Sequence, residues 1–314
     1  MPRAAHHLTT AATSSTDAGR TTASARPSTP LNTVASAVYR GSSPGSTWRS
    51  PTIRARSART CRPYPGDREI MGERDDNDGR VRRVGHKGAA HLAPGNTIEA
   101  FAAALAHEVD MIEFDVLPER LDGSGELLLA HDYTDASHRT PLRLDAALRH
   151  FAGSDFAAIE LNVDLKLPGY EERVLDLLLE HGLADRALIS TMEPASLKRV
   201  RALAPGVRLG RSFPRVRSDP RNHPFKRWPA YALIAWWRRH LPTVIARQLA
   251  AGEVDALMCH WAFVNERLQR AVTAAGGELY VWTVDDAKRI AALERLGVTG
   301  IITNDPRLFA PRMP

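Results

Sequence analysis

From residue 81 onward the chain alternates between short apolar strands and amphipathic helices, and this alternation restricts its fold more than any other feature. The strand-like stretches are VRRVG, MIEFDV, AAIELNVDL, RALIST, VRLGRSF, VDALMCH, ELYVWTV and TGIIT. Among them lie NTIEAFAAALAHE, YEERVLDLLLEHG, EPASLKRVRALA, NERLQRAVTAAGG and DDAKRIAALERLG, three of which stop at a glycine (Gly182, Gly276 and Gly297), as helix ends favour. Strands regularly separated by helices favour parallel pairing, since the helices supply the crossovers that parallel strands need. Eight strands over roughly 230 residues predict an α/β fold of the (β/α)8 TIM-barrel type, with a doubly wound open sheet as the alternative. ELLLAHD (126–132) adds a strand that would form a hairpin with the second one through LDGSG.

The second strand contains an anomaly. In DMIEFDV (110–116), Met111, Ile112, Phe114 and Val116 suit a sheet covered on both faces, yet Glu113 and Asp115 interrupt them. Successive side chains alternate faces, so the two carboxylates point the same way. Burying like charges side by side is costly unless something relieves the repulsion.

Charge is unevenly spread. Residues 1–70 carry ten arginines against Asp17, Asp67 and Glu69, so the formal +6 of the chain belongs to this segment. The remainder is near neutral, and a nucleic-acid reading from basicity fails. Residues 1–78 are rich in Ala, Ser, Thr, Arg and Pro and show no strand or helix period, which predicts a disordered extension. Two origins fit it: an Arg- and Ser-rich targeting peptide, or upstream sequence ahead of a true start near Met71. The barrel is assigned to 79–314. Hydrophobic residues make up 43% of the chain, yet no run reaches the length of a membrane span. Cys61 and Cys259 are too far apart for a CxxC site, which fits a reducing compartment and a cytoplasmic location.

In a TIM barrel the chemistry sits at the C-terminal ends of the strands. His86 follows the first strand, Glu113 and Asp115 end the second, and His131 and Asp132 end the hairpin. Asp164 and Lys166 end the third at i, i+2, and Trp282 ends the seventh. Three carboxylates (Glu113, Asp115 and Asp164) suit a hard divalent cation bound through oxygen, which would answer the anomaly at 113/115. Lys166 adds positive charge for an anionic substrate, and His86 with His131 supplies a general acid and a general base. Such a set fits displacement at phosphorus.

VGHKGAAHLAPGNTIEAF, MIEFDV, LLLAHD, NVDLK, YVWTVDD and GIITNDP together resemble the glycerophosphodiester phosphodiesterase family in order and spacing, over residues 81–310. The resemblance implies a TIM barrel hydrolysing glycerophosphodiesters to sn-glycerol 3-phosphate and an alcohol with Mg2+ or Ca2+. It implies His86 and His131 as the catalytic pair, Glu113, Asp115 and Asp164 as metal ligands, Lys166 as a phosphate contact and Trp282 as a wall of the glycerol pocket. Three departures stand out. Lys87 replaces the family's arginine, keeping the charge and losing the bidentate fork. Gly95 stands where the family has glutamate in Pro-Glu-Asn-Thr. Asp164 replaces a glutamate and is one methylene shorter, as in the related sphingomyelinase D-like enzymes.

Several residues have plainer readings. Asn96 followed by Glu99 is expected to form a helix N-cap with its capping-box partner. His91, His107, His138, His150 and His181 are read as surface residues. Glu160 and Asn162 share the face of Asp164, with Glu160 expected in a salt bridge or in solvent. Asp132 either orients His131 or caps the following turn. A purely structural salt-bridge role for Glu113 and Asp115 is disfavoured because no pair of basic residues accompanies them.

The stretch 214–242 is an insertion after the fifth strand, on the expected active-site face. It holds seven basic residues against Asp219 and three of the six tryptophans, Trp228, Trp236 and Trp237. WPAYALIAWWRRHL within it reads as a short helix. Three roles stay open: an interfacial element making peripheral membrane contact with anionic lipid, a lid over the pocket, or a cover for the barrel wall. The first would move the substrate toward a lysophospholipid and the activity toward a lysophospholipase D or a sphingomyelinase D-like phosphodiesterase. The rival from another class is a non-catalytic lipid-binding barrel, against which the intact histidines and carboxylates argue.

Overall fold

The computed structural model describes residues 80–215 and 227–311; the extension expected at 1–78 lies outside these residues. In chain order the described strands are β1 (Arg82–His86), β2 (Met111–Pro118), β3 (Leu127–Leu129), β4 (Leu142–Arg143), β5 (Glu160–Leu165), β6 (Ala187–Thr191), β7 (Arg208–Phe213), β8 (Ala256–His260), β9 (Glu278–Trp282) and β10 (Gly300–Thr303). The helices are α1 (Ile98–Ala106), α2 (Tyr133–Ser137), α3 (Leu144–Phe151), α4 (Glu171–Glu180), α5 (Pro194–Leu203), α6 (Arg227–Ala250), α7 (Glu266–Ala274) and α8 (Ala287–Leu296). β1, β2 and β5 to β10 pair in parallel around a closed ring, sealed by β1 with both β10 and β2. This is the (β/α)8 barrel, not the open sheet. β3 pairs antiparallel with β2, as expected, and β4 extends that hairpin.

Strand parity sorts the barrel interior into levels. At the N-terminal end, Arg208 pairs with Glu160 at 3.0 Å and with Glu278 at 2.8 Å, which gives Glu160 its salt-bridge role. Two residues up, Val84, Met111, Leu188, Met258, Tyr280 and Ile302 form a separate apolar cluster inside the ring. Two further up, the inward positions turn polar: His86 lies in register with Glu113, and Asp115 with Asp164. The anomaly in DMIEFDV is therefore the mouth of the barrel. The outward residues of the same strands build the larger core under the helices. Phe101, Phe114 and Phe151 meet there, with ring centroids 4.7 Å apart for Phe101–Phe151 and 5.4 Å for Phe114–Phe151.

The turn after β1 is made by close backbone approach. A Cβ on Gly85 would sit 2.2 Å from the Gly88 carbonyl oxygen, and one on Gly88, at φ +85°, would sit 2.6 Å from the Ala100 carbonyl. Only glycine fits either position. The turn directs Lys87 and the following loop over the mouth.

Two expectations are corrected here. The N-cap of α1 is Thr97, whose side chain accepts from Ala100 N, while Asn96 is buried at φ +60° and faces the barrel. Asparagine tolerates the left-handed region because its short amide bonds locally. The helix expected to be short at 228–241 belongs to a single helix of 24 residues, α6, which passes through Pro242. Its C-terminal half buries Leu241, Ile245 and Leu249, and this packing outweighs the one backbone donor that proline removes.

Candidate active site

Every candidate residue taken from the sequence belongs to the mouth of the barrel. A cavity of about 170 Å3 is lined by His86, Glu113, His131, Asp164, Lys166 and Trp282, with Asn162, Ser190 and Ser212 among its other walls. Asp115 lies directly beneath, fully buried. A larger shallow groove between α6 and α7, about 460 Å3 and lined by small residues and two arginines, carries no acid–base group.

The acidic set converges. One oxygen from each of Glu113, Asp115 and Asp164 lies within 4.8 Å of the others. The shorter Asp164 still reaches the cluster. Ser190 Oγ donates to its Oδ1 at 2.7 Å, and Lys166 Nζ donates to its Oδ2 at 2.5 Å. Ser190 in turn accepts from Asn162 Nδ2 at 2.9 Å, so Asn162 acts through the serine.

Asp115 is held from several sides. Asn96 Nδ2 donates to its Oδ2 at 3.0 Å, and Asn96 Oδ1 accepts from the Asp115 amide at 3.1 Å. Lys87 Nζ lies 3.3 Å from Oδ2 and Lys166 Nζ 2.5 Å from Oδ1. Two basic residues thus accompany the pair after all. Sequence separation hides one of them, since Lys87 comes from the turn after β1. An oxygen-only donor set of three converging carboxylates fits a hard divalent cation.

The electrostatics diverge within this small space. Burial and the adjacent Asp115 charge push the Glu113 carboxyl up to about 8. Burial acts the same way on Asp115, but Lys166 and Lys87 overcome it and hold that carboxyl well below the usual range. Burial alone would lower the Lys166 ammonium; Asp115, Asp164 and Glu113 instead raise it well above its ordinary value. One acid is primed to stay protonated and the other to stay charged.

The histidines have different settings. His86 Nδ1 lies 2.6 Å from Asn304 Oδ1, while its Nε2 lies 3.8 Å from Glu113 Oε2. The orientation of the Asn304 amide follows from its other end: its Nδ2 donates to Asp285 Oδ2 at 2.6 Å, and its backbone N–H donates to Asp285 Oδ1 at 2.8 Å. Asn304 therefore presents oxygen to the ring, Nδ1 carries the proton, and Nε2 faces the mouth as an acceptor. Burial, aided by Lys87, lowers His86 to about 4 and keeps it neutral.

His131 is exposed, and its Nδ1 lies 3.0 Å from Asp132 Oδ2. Asp132 Oδ1 caps α2 through the Asp135 amide at 2.9 Å. Both readings of Asp132 hold, one per oxygen. Trp282 stands at the rim, its ring centroid 5.2 Å from that of His260 in an edge-on contact.

Asn96, Ser190, Asp285 and Asn304 were missed as site residues. Asn304 and Asp285 belong to GIITNDP and YVWTVDD, but nothing in either stretch signals that one orients the other. Of the histidines read as surface residues, His181 is half-buried and pairs with Asp145 at 2.9 Å, while His150 packs on Phe156.

The sequence profile described as the glycerophosphoryl diester phosphodiesterase family matches residues 86–137 and 156–308. A glycerophosphodiester phosphodiesterase from Caldanaerobacter subterraneus subsp. tengcongensis is 26% identical over 255 residues, covering 71% of this chain and 93% of the relative. Among solved structures, a glycerophosphodiester phosphodiesterase from Parabacteroides distasonis superposes with a TM-score of 0.55 at 17% identity, over 73% of this chain and 94% of that one. A phosphodiesterase from Oleispira antarctica, in complex with its product sn-glycerol-3-phosphate, gives 0.53 at 19% identity, over 73% and 94%. The matched segments bracket both histidines, all three carboxylates and Lys166, and this chain belongs to the glycerophosphoryl diester phosphodiesterase family of phosphoric diester hydrolases.

Proposed function

We propose that the protein hydrolyses glycerophosphodiesters to sn-glycerol 3-phosphate and an alcohol in a metal-dependent reaction. The observation that carries this reading is the convergence of three carboxylates, a buried lysine and two histidines on one small cavity. The product held by the Oleispira antarctica relative supports the same substrate class.

Glu113, Asp115 and Asp164 would hold one divalent cation, Mg2+ or Ca2+, which when bound supplies Lewis-acid neutralisation of the phosphodiester charge. Lys166 and Lys87 contribute fixed positive charge beside it. His86, with Nε2 free, takes the proton of the attacking hydroxyl. That oxygen forms a new bond to phosphorus as the bond to the alcohol oxygen breaks, and His131 delivers its proton to the departing alkoxide. When the attacker is the neighbouring glycerol hydroxyl, the product is a cyclic phosphate. Water then opens it with the two histidines in exchanged roles. Trp282 walls the side where glycerol would lie.

The test is turnover of glycerophosphocholine by the full chain with EDTA, Mg2+ or Ca2+, followed in single turnover for a cyclic species. Cation-restored release of sn-glycerol 3-phosphate is expected, and its absence under every condition sinks the reading. No cyclic species would mean direct attack by water. A second reading, a lysophospholipase D acting on a lysophospholipid presented at a membrane, is favoured by the exposed Tyr231, Leu233 and Trp236 of α6.

A further inference from the structure

The helices of this barrel are mostly 8 to 10 residues long, whereas α6 has 24. Its placement shows where the extra length goes. Leu249 lies against Gly277, just ahead of β9 and so at the N-terminal end of the barrel. Trp237 packs edge-on against Phe213, the last residue of β7, with centroids 4.9 Å apart, and Arg238 donates to the Val264 carbonyl at 3.1 Å. Both contacts are at the catalytic end. Residues 241–250 thus span the barrel wall, Ile234, Trp237 and Arg238 pack at its rim, and the seven residues before Ile234 continue the helix past the catalytic end by about 10 Å at a helix's rise per residue.

Most described side chains of this end face solvent, Ile234 excepted, which packs against the core. Tyr231 is 50% exposed, Leu233 54% and Trp236 52%, with Ala232 and Ala235 exposed between them. Among the described residues, only Leu121 and Leu179 are other large apolar side chains this open, and neither adjoins another. Three large apolar residues on one projecting turn and a half have an unmet demand for burial. The surroundings specify by what. In sequence, 214–242 carries seven basic residues and Asp219 as its one acid, most of them outside the described side chains, and Arg239 is exposed about one turn from Trp236 on the same helix. Tryptophan and tyrosine with an exposed arginine beside them, in a strongly basic stretch of sequence, match the headgroup layer of an anionic bilayer, where the ring bodies bury and the cations stay at the phosphates. A protein partner would have to offer both an apolar slot and a strong acidic surface.

We infer that the tip of α6 docks the protein on an anionic lipid surface through Tyr231, Leu233 and Trp236, with the catalytic mouth turned toward the lipid. The docking stands on the exposed end of α6 and the basic residues of its sequence. Only its use in presenting phosphodiester lipids to the site rests on the phosphodiesterase reading. It commits the membrane contact to three side chains, a lipid charge and an orientation.

Co-sedimentation of the full chain with phosphatidylcholine vesicles, with and without phosphatidylserine, tests it. Binding is expected with phosphatidylserine and little without. Raising salt should weaken it, since screening shortens the reach of the arginines. Trp236→Ala and Leu233→Asp should each weaken vesicle partitioning about tenfold or more, by removing interfacial burial. Leu179→Asp, on α4, should leave partitioning unchanged. All three variants should turn over soluble glycerophosphocholine at the wild-type rate.

Equal partitioning of wild type and Trp236→Ala, indifference to phosphatidylserine, or an equal loss in Leu179→Asp would overturn the proposal. So would a wild-type dimer in solution that Trp236→Ala dissociates, since the tip would then serve a second copy of the chain. Vesicle binding without turnover would sink the enzymatic reading alone, and turnover without vesicle binding would sink the docking alone.

Discussion

Asn304 Oδ1 lies 2.6 Å from His86 Nδ1, and this contact fixes which nitrogen of the histidine faces the cavity. The asparagine can serve because Asp285 engages both its amide nitrogen and its backbone N–H. A free amide could flip and offer N–H instead, which would demand the other tautomer and leave a protonated Nε2 toward the substrate. Asp285 thus orients His86, which it does not touch.

Replacing Asn304 by Asp sets a carboxylate against the ring and stabilises its protonated form. His86 would then titrate above its present value of about 4. The acidic limb of the kcat/KM profile should move to higher pH. Asp285→Ala should lower kcat by about 10- to 100-fold with KM little changed, as loss of an orienting partner does. A pH–rate series on both variants checks this; an unmoved limb in Asn304→Asp would remove His86 from the base role.

Asn96 should prove structural and functional at once. Asn96→Gly keeps the backbone at φ +60° but removes both hydrogen bonds to Asp115. A buried charge losing such partners costs about 2–4 kcal/mol. Denaturant unfolding should show a loss of that size without divalent cation, and calorimetric titration a weaker cation affinity.

Lys166 bridges Asp115 and Asp164 at 2.5 Å each. Lys166→Met would leave the carboxylates without that cation, and breaking a buried ion pair costs about 3–5 kcal/mol. Melting of this variant should therefore recover more on adding Mg2+ or Ca2+ than melting of the wild type. Turnover should fall, because the lysine's charge beside the phosphate is gone.

Glu113 sets a pH dependence with a definite sign. Its folded value, about 8, lies above the ordinary carboxylate value of 4.5. Its contribution to stability is full below pH 4.5 and is lost as pH rises through 8. His86 acts oppositely: its value falls from 6.5 to about 4, so its contribution is full above 6.5 and is lost as pH falls toward 4. A cation must displace the Glu113 proton, so affinity should fall about tenfold per pH unit below 8. Glu113→Gln should flatten that slope. Titration calorimetry in buffers of different ionisation enthalpy would count the released proton; a count of zero at neutral pH would refute the protonated state.

The barrel was readable because its determinants are local and periodic. Eight apolar stretches alternating with helical ones admit few topologies, and strand parity alone put Glu113 with Asp115 and Asp164 with Lys166 on common faces. The hairpin after β2 was announced by LDGSG, and both site histidines by strand ends.

Local pattern thus set the fold class, the face of each strand that meets the mouth, and the carboxylates and histidines standing there. Tertiary structure alone decided which side chains complete them. Asn304 meets His86 across 218 positions and Ser190 meets Asp164 across 26, through the closing of a ring that no local pattern records. It likewise decided that Asn96 turns inward to Asp115 instead of capping a helix, since a buried carboxylate needs donors more than a solvated helix end does. The length of α6 also followed from packing: the buried contacts of Leu241, Ile245 and Leu249 carry the helix through a proline that local propensity reads as a stop.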